Sequence, residues 1–481
     1  EFGFDDFQNL GCHHLEDGKS VLVAAPTGAG KTIVGEFATF LAEKNGNRCF
    51  YTTPIKALSN QKYQDLVKLY GDSEVGLLTG DSSINSEARI VVMTTEVLRN
   101  MIYAGSDAID DLGYVVMDEV HYLADKFRGA VWEEILIHLP ERIQIVSLSA
   151  TVSNAEEFGD WLKTVRGETE VVLSEIRPVP LYQHILIGNR ILDLFVDEGR
   201  VNPEILRIEK NSIKKVPGGS KSWKESKFSS NKSLTRPEVV EKLSERGFLP
   251  AIFFIFSRAG CDGAVSSCIR EGLSLTNSLE KEEIRRVIAL KTHELPSEDF
   301  GVLGFHEWAQ ALERGIAAHH AGLLPMFKET IEELFQRGLL KIVFATETLA
   351  LGINMPARSV VLEKLVKWNG ESHVNVSPGE YTQLTGRAGR RGIDVEGNAL
   401  ILWNEQMDSS IAAGLASTRT YPLRSSFSPT YNMSANLISR FGHERARKSL
   451  GFSFAQFQAD KAVVGLARQI AKNEMAIKTL I

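Results

Sequence analysis

The sequence predicts an α/β protein with two parallel sheets in tandem, followed by the start of a helical region. Three observations carry this. Strand and helix patterns alternate from about residue 19 to 176 and again from about 250 to 403. Short apolar runs such as YVVM at 114–117 lack the in-out alternation of a half-exposed strand, as strands covered on both faces do. Beyond residue 405 the alternation stops, and residues 427–450 carry a helical pattern.

The first strand is KSVLVA, residues 19–24. AAPTGAGKT follows at 24–32 and leads into a helical pattern from 32 to 42. Strand, glycine-containing loop and helix in that order are what a P-loop requires. The strict pattern opens on glycine where this chain has Ala25, but the physical demands fall on the later glycines and the lysine. Backbone N–H groups of Thr27, Gly28, Ala29, Gly30 and Lys31 are placed to wrap a phosphate at the positive end of the helix. Lys31 reaches the outer phosphates, and the Thr32 hydroxyl is a Mg²⁺ ligand.

The strand at 114–117 runs into Asp118 and Glu119, within YVVMDEVH. Carboxylates at the carboxyl end of such a strand lie on the P-loop side of the sheet. Asp118 is the candidate to hold Mg²⁺, through water, and Glu119 to orient and deprotonate an attacking water. A solvated turn is the plain alternative, and three phosphate-directed motifs in order outweigh it. The third is QLTGRAGRRG, residues 383–392. Arg387 and Arg390 stand three apart, which on a helix puts both guanidiniums on one face. Two such forks repel each other unless an anion lies between them, and guanidinium clamps phosphate bidentately. A solvated basic loop is the alternative.

With these residues the chain resembles the superfamily 2 nucleic-acid helicases over nearly all of its length. SAT (149–151) is similar to the motif that couples the ATP site to the cleft between two RecA-like lobes. TTPIKALSNQKY (52–63), TGD (79–81) and TTEVLRN (94–100) resemble the first lobe's nucleic-acid motifs. FFIFSR (253–258), HHAGLLP (319–325) and ATETLALGINMPA (345–357) resemble their second-lobe counterparts. DEVH points to the DExH enzymes. Arg391 after Arg390 resembles the superkiller and exosome-cofactor RNA helicases and their bacterial HelY-type relatives, whereas archaeal DNA repair helicases usually carry proline there.

The resemblance implies a RecA-like ATP-binding domain at 1–182 and a RecA-like C-terminal domain at 183–405. The start of a winged-helix-like helical region follows at 406–481. It implies hydrolysis of ATP with Mg²⁺ by Lys31, Asp118, Glu119, Gln383, Arg387 and Arg390, with Gly352 also at the nucleotide. Nucleic-acid contacts are implied for Pro54, Lys56, Thr79, Gly80, Thr94 and Thr95 in the first lobe. In the second they are Ser257, Arg258, His320, Gly322, Thr346 and Thr348. Hydroxyls such as those of Thr53, Thr95 and Thr346 suit contacts that ignore base identity, although each alone reads as readily as a helix cap. Gln8 is the candidate reader of the adenine edge and Phe2 of its face, with a hydrophobic staple of Phe2, Phe4 and Phe7 as the alternative.

Asn369-Gly370 between β-prone flanks predicts a hairpin. In the family a hairpin here wedges the duplex apart, so the segment from Lys367 to His373 is the candidate strand separator; a plain sheet-edge hairpin is the alternative. Between the two α/β segments, residues 210–236 hold eight basic and one acidic residue, with Pro217, Gly218 and Gly219. That reads as a linker or as a basic strap with Trp223 and Phe228 available to stack. Residues 453–474 start a long helix, which in relatives precedes a stalk-like insertion and a ratchet bundle.

The net charge of −7 excludes a coating role on nucleic acid and leaves room for a basic channel. Cys12, Cys49, Cys261 and Cys268 show no metal or disulfide spacing, as reduced thiols of a cytoplasmic protein would. No apolar run approaches the roughly 18 residues that span a membrane. The missing initial Met and the open-ended final helical pattern suggest part of a longer protein. The expected activity is 3′-to-5′ travel on single-stranded or tailed duplex nucleic acid, with RNA favoured, by a monomer that serves RNA-degradation machinery. A DNA repair helicase and a nucleotide-switched clamp are the alternatives.

Overall fold

The computed structural model describes residues 3–126, 128–197, 199–213, 234–349, 355–368, 371–404, 407–418 and 420–462. They form two compact units, Glu1–Ile176 with Thr420–Ile481, and Arg177–Arg419.

The first unit is built on β1 (Ser20–Ala24), β2 (Arg48–Thr53), β3 (Val75–Leu78), β4 (Ser83–Ile84), β5 (Ile90–Thr94), β6 (Leu112–Met117), β7 (Gln144–Ser149) and β8 (Thr169–Leu173). They lie in the order β4-β3-β5-β2-β6-β7-β1-β8, parallel except for β4. All five β1 residues are buried, because both faces are covered. Val21 and Val23 join one core with Tyr51 and Val116, while Leu22 and Ala24 join the other with Phe50 and Met117. The helices are α1 (Asp6–Glu16), α2 (Thr32–Asn45), α3 (Lys56–Tyr70), α4 (Thr95–Ala104), α5 (Gly129–His138) and α6 (Ala155–Arg166).

The second unit holds β9 (Leu181–Ile187), β10 (Arg190–Asp193), β11 (Phe195–Asp197), β12 (Arg200–Val201), β13 (Ala251–Phe254), β14 (Ile316–His319) and β15 (Ile342–Ala345). Then come β16 (Ser359–Leu362), β17 (Val366–Trp368), β18 (His373–Asn375) and β19 (Gly397–Leu402). Seven of these form the sheet β10-β9-β19-β16-β13-β15-β14, parallel apart from β10. Its helices are α7 (Pro203–Ile213), α8 (Arg236–Glu245), α9 (Arg258–Arg270), α10 (Ser278–Lys291), α11 (Phe305–Glu313), α12 (Pro325–Gln336), α13 (Pro378–Thr385) and α14 (Ser409–Ser417). Two parallel-dominated α/β sheets in tandem are the fold class the alternation predicted.

The boundaries drawn from sequence differ from those of the structure. A cut at 182/183 falls inside β9, which pairs from Leu181 to Leu186 with β19 of the second sheet. A cut at 405/406 separates α14 from its own unit, where Ser409 donates to Glu209 of α7. The described residues from 420 return to the first unit. Val152 and Tyr421 form a β-bridge, and Asn154 exchanges side-chain hydrogen bonds with the Leu423 backbone at 2.6 and 2.9 Å. Next comes α15 (Tyr431–Gly451), broken at Gly442, and a helical turn begins at Phe454, wedged against Phe158 and Trp161. Of the basic segment, 214–233 lies outside the described residues, as do Trp223 and Phe228 and most of the final helix.

Candidate functional site

The loop after β1 turns twice through left-handed backbone. Gly28 (φ +82) and Gly30 (φ +87) supply it, and nothing occupies the space a Cβ would take at Gly28. An exposed, side-chain-free Gly28 leaves the loop's concave side open to a phosphate. Lys31 closes the loop with its ammonium almost buried, 3.2 Å from Glu119 Oε2.

Asp118 and Glu119 follow β6, two strands away from β1 across β7. Asp118 is held from three sides. Its N–H bonds the Thr52 carbonyl at 3.0 Å, Tyr51 Oη donates to Oδ2 at 2.9 Å, and the Glu119 N–H donates to Oδ1 at 2.9 Å. Burial, and then the neighbouring Glu119 charge, push its carboxyl up to about 6. Glu119 sits at φ +59, a conformation that costs a non-glycine residue energy and clusters at functional sites.

His121 links this strand end to the next. Burial lowers its pKa to about 4, so the ring is neutral and Nδ1 accepts from the Ala150 N–H at 3.2 Å. The 3.4 Å approach of Nδ1 to Glu119 Oε2 is therefore no ion pair. Sequence reasoning used His121 only to sort the motif; its position beside Ala150 ties DEVH to SAT.

The two carboxylates, and the Thr32 hydroxyl at the start of α2, are hard oxygen donors, and burial together with the Glu119 charge already works against a bare negative charge on Asp118. That chemistry fits Mg²⁺, with Thr32 and Asp118 as its holders.

Gln8 lies against the phosphate loop. Its Oε1 accepts from the Asp5 N–H at 2.9 Å, closing a capping box on α1. Its Nε2 donates to the carbonyls of Gly30 at 3.0 Å and Ala29 at 3.4 Å. The Gln8 side chain thus ties the start of α1 to the phosphate loop. Phe2 and Gly352 lie outside the described residues.

The arginine loop also departs from expectation. α13 ends at Thr385, so Arg387 and Arg390 do not share a helical face. Gly389 (φ +86) turns the chain, and a Cβ there would stand 2.6 Å from Val179 Cγ1 and 3.3 Å from Gly397 Cα. The loop is pinned instead by strand-like bonds. Ala357 N–H donates to Arg387 O at 2.9 Å, and Gly389 N–H to Ala357 O at 2.7 Å. Arg177 donates to the carbonyls of Gly386 and Ala388. Arg390 is clasped by Asp394, a partner the sequence reading missed although it stands four residues on. Gln383 lies in the last turns of α13.

The DEAD/DEAH box helicase family matches residues 5–158, and the helicase conserved C-terminal domain matches 274–392. The chain is 57% identical over 481 residues to the probable helicase HelY of Mycobacterium tuberculosis, covering 98% of this chain and 53% of that protein. It is 40% identical over 471 residues to human superkiller complex protein 2, covering 95% and 37%. It is also 40% identical over 490 residues to a chloroplastic DExH-box ATP-dependent RNA helicase of Arabidopsis thaliana, covering 94% and 41%. The chain belongs to the DExH-box helicases. It spans about half the length of the HelY relative and less of the other two.

The remaining helicase motifs gather at strand ends within each unit. TTP, TGD and TTE follow β2, β3 and β5, three adjacent strands; FSR, HHAG and ATET follow β13, β14 and β15, also adjacent. Lys56 and Gly80 are exposed, as are Ser257, Arg258, Gly322 and Thr348; Thr94 and Thr346 are half-buried. Lys56 bonds Asp81 at 2.6 Å, and Asp81 also accepts from Thr79, so these two motifs are braced together. Several motif residues, exposed Ser257 among them, also do structural work. Pro54 is buried with its carbonyl on Arg128, and Thr53 bonds Ser59 and Ile55. Thr95 is buried beside Glu96, and Ser257 caps α9 through the Gly260 N–H. His320 is buried between Asp262 and the Gly322 N–H, and shapes its loop. Among the described residues no group of His, Cys, Asp and Glu is placed to hold a metal through three side chains, and no helix is long and apolar enough to cross a membrane.

Proposed function

We propose that the protein is an ATP-driven helicase that travels 3′-to-5′ on a single strand, with RNA as its substrate. The observation that carries the ATPase is the buried Lys31 ammonium at 3.2 Å from Glu119, beside a carboxylate fixed by Tyr51. A γ-phosphate competes for Lys31, and Glu119, released from that ammonium, serves the attacking water as proton acceptor. Tyr51 and the Glu119 N–H keep Asp118 aimed while this occurs. Arg387 and Arg390 supply positive charge to the transferring phosphoryl group. Thr32 and Asp118 would hold a Mg²⁺, which when bound would neutralise charge on the phosphate oxygens.

Motion along the strand is assigned to the exposed motif residues Lys56, Gly80, Ser257, Arg258, Gly322 and Thr348, with Thr94 and Thr346. Their hydroxyls and cations, and the exposed turns at Gly80 and Gly322, address phosphates and not bases. RNA is favoured by Arg391 and by the RNA helicases named among the relatives. The superkiller relative is named as part of a complex, and an RNA-degrading assembly is the corresponding partner proposed here, with the protein acting as a cytoplasmic monomer. The test is ATP turnover stimulated by single-stranded RNA against DNA, and strand displacement on 3′-tailed duplexes of each. Stimulation by DNA alone would move the assignment to a DNA helicase. RNA-stimulated hydrolysis without displacement would make it a clamp.

A further inference from the structure

β17 and β18 form a two-stranded ribbon of three residues each, paired Val366 to Asn375, Lys367 to Val374 and Trp368 to His373. An isolated ribbon of this size is marginal in water, so something else holds it. Its two faces differ. Val366 and Trp368 are exposed, and the Trp368 ring meets His373 edge-on at 5.2 Å. The alternate position, Lys367, points the other way, and its side chain is only 15% exposed.

There the Lys367 ammonium bridges two carboxylates from two helicase motifs. It lies 2.5 Å from Glu347 Oε2, in the turn between Thr346 and Thr348, and 2.6 Å from Glu380 Oε1. Glu380 Oε2 meanwhile accepts from the N–H and Oγ of Ser377, capping the N-terminus of α13, the helix that leads into Arg387. One cation thus touches the ribbon, the ATET turn and the helix before the arginine loop. Burial works against its charge, and the two carboxylates more than offset that, so the Lys367 pKa lies above its usual value. Without it, two carboxylates face each other with no cation between them.

We propose that Lys367 is a positioning residue, a strut that fixes the strand-separating ribbon to the ATET turn and to α13. Movement in either motif is delivered to the exposed Trp368 and His373 face. The strut's mechanical role rests on the helicase reading; its structural role does not.

The test compares Lys367→Met and Lys367→Arg in the full chain. Hydrogen exchange at the amides of 366–368 and 373–375 is expected to rise about tenfold or more in Lys367→Met, with β16 and β19 unaltered. Lys367→Arg, which keeps the charge and can bridge two carboxylates, is expected to stay within about threefold of wild type. Ribbon exchange in Lys367→Met indistinguishable from wild type would overturn the strut whatever the protein's activity. The second readout is duplex displaced per ATP hydrolysed on a 3′-tailed RNA duplex. A fall of about tenfold in that ratio in Lys367→Met supports the coupling. Accelerated exchange with an unaltered ratio, or ATP turnover falling in parallel with displacement, would overturn it. A wild-type protein that neither hydrolyses nor displaces refutes the helicase reading and leaves the exchange result standing.

Discussion

Arg390 donates from Nε and Nη2 to the two carboxylate oxygens of Asp394, at 2.7 and 2.8 Å, and its backbone N–H bonds the same carboxylate at 2.9 Å. Burial alone would raise the Asp394 carboxyl, but these bonds outweigh it and hold it below its usual range. A bidentate fork of this kind sets the guanidinium plane as well as its charge. Arg390→Ala should therefore lose about 10³-fold or more in ATP turnover, the lower end of what an arginine finger supplies, with nucleotide affinity little altered. Asp394→Asn should lower kcat about tenfold without raising KM, because it frees the fork but leaves the guanidinium in place. Steady-state ATPase assays on both variants decide this, and wild-type turnover in Arg390→Ala would remove it from the mechanism.

Glu119→Gln separates binding from chemistry. The substitution removes a proton acceptor, which should lower turnover about 10²- to 10⁴-fold. It also removes the charge that draws Lys31 to 3.2 Å, so ATP should bind at least as tightly as in wild type. Equilibrium titration with a fluorescent ATP analogue, alongside single-turnover hydrolysis, measures both. Hydrolysis at the wild-type rate would show that another group takes the proton.

Glu133 should give the first unit a pH dependence. It is fully buried in α5, accepts from Ser425 Oγ and from the Phe454 N–H at 2.7 Å, and burial raises its pKa from 4.5 to about 7. The folded state thus keeps a proton that the unfolded chain releases. Its contribution to stability is complete below pH 4.5, declines as pH rises to about 7, and is level above that. The size is on the order of 3 kcal/mol. His121, lowered to about 4, acts in the opposite sense between there and 6.5, and Asp118, raised to about 6, acts in the same sense. The informative quantity is therefore the difference between wild type and Glu133→Gln in urea melts from pH 4.5 to 8. A difference that does not vary with pH would show that Glu133 is not the titrating group.

Much of this was legible in the sequence because it is local. The buried β1 run, the glycines of the phosphate loop and the carboxylates ending β6 are written in consecutive residues with the right period. The arginine loop was misread because three-residue spacing implies a shared face only if the helix continues. It does not: α13 ends at Thr385 and Gly389 turns the chain at positive φ, a conformation that a glycine in the motif allows. The destination of residues 420–462 was not legible. Glu133 and Trp161 meet partners about 300 residues away, Phe454 at the carboxylate and Phe452 O on the indole, which no local pattern announces. Gln8 is a different case, since the same amide suits a cap or a base edge, and its contacts with Asp5, Ala29 and Gly30 are not written in its sequence neighbourhood.

The last prediction concerns that returning segment. Phe454 is fully buried, with Phe158 and Trp161 each 5.2 Å from its ring, and its N–H is on Glu133. Truncation of such a side chain costs about 3 to 5 kcal/mol, the transfer term plus the cavity left between two aromatic rings. Phe454→Ala should lower the first unit's melting transition by roughly 10 °C, taking about 2–4 °C per kcal/mol at this size. The consequence reaches the ATP site. Ser426 Oγ donates to the carbonyls of Leu123 and Asp125, just past DEVH, and the Ser153 N–H, just past SAT, bonds Tyr421 O at 2.9 Å. Loosening the segment should expose 420–430 to limited proteolysis and lower ATP turnover several-fold, although no substituted atom lies at the nucleotide. Calorimetry, timed proteolysis and ATPase assays on one preparation test this together. A destabilised first unit with wild-type turnover would show that the segment stabilises the lobe without steering its motifs.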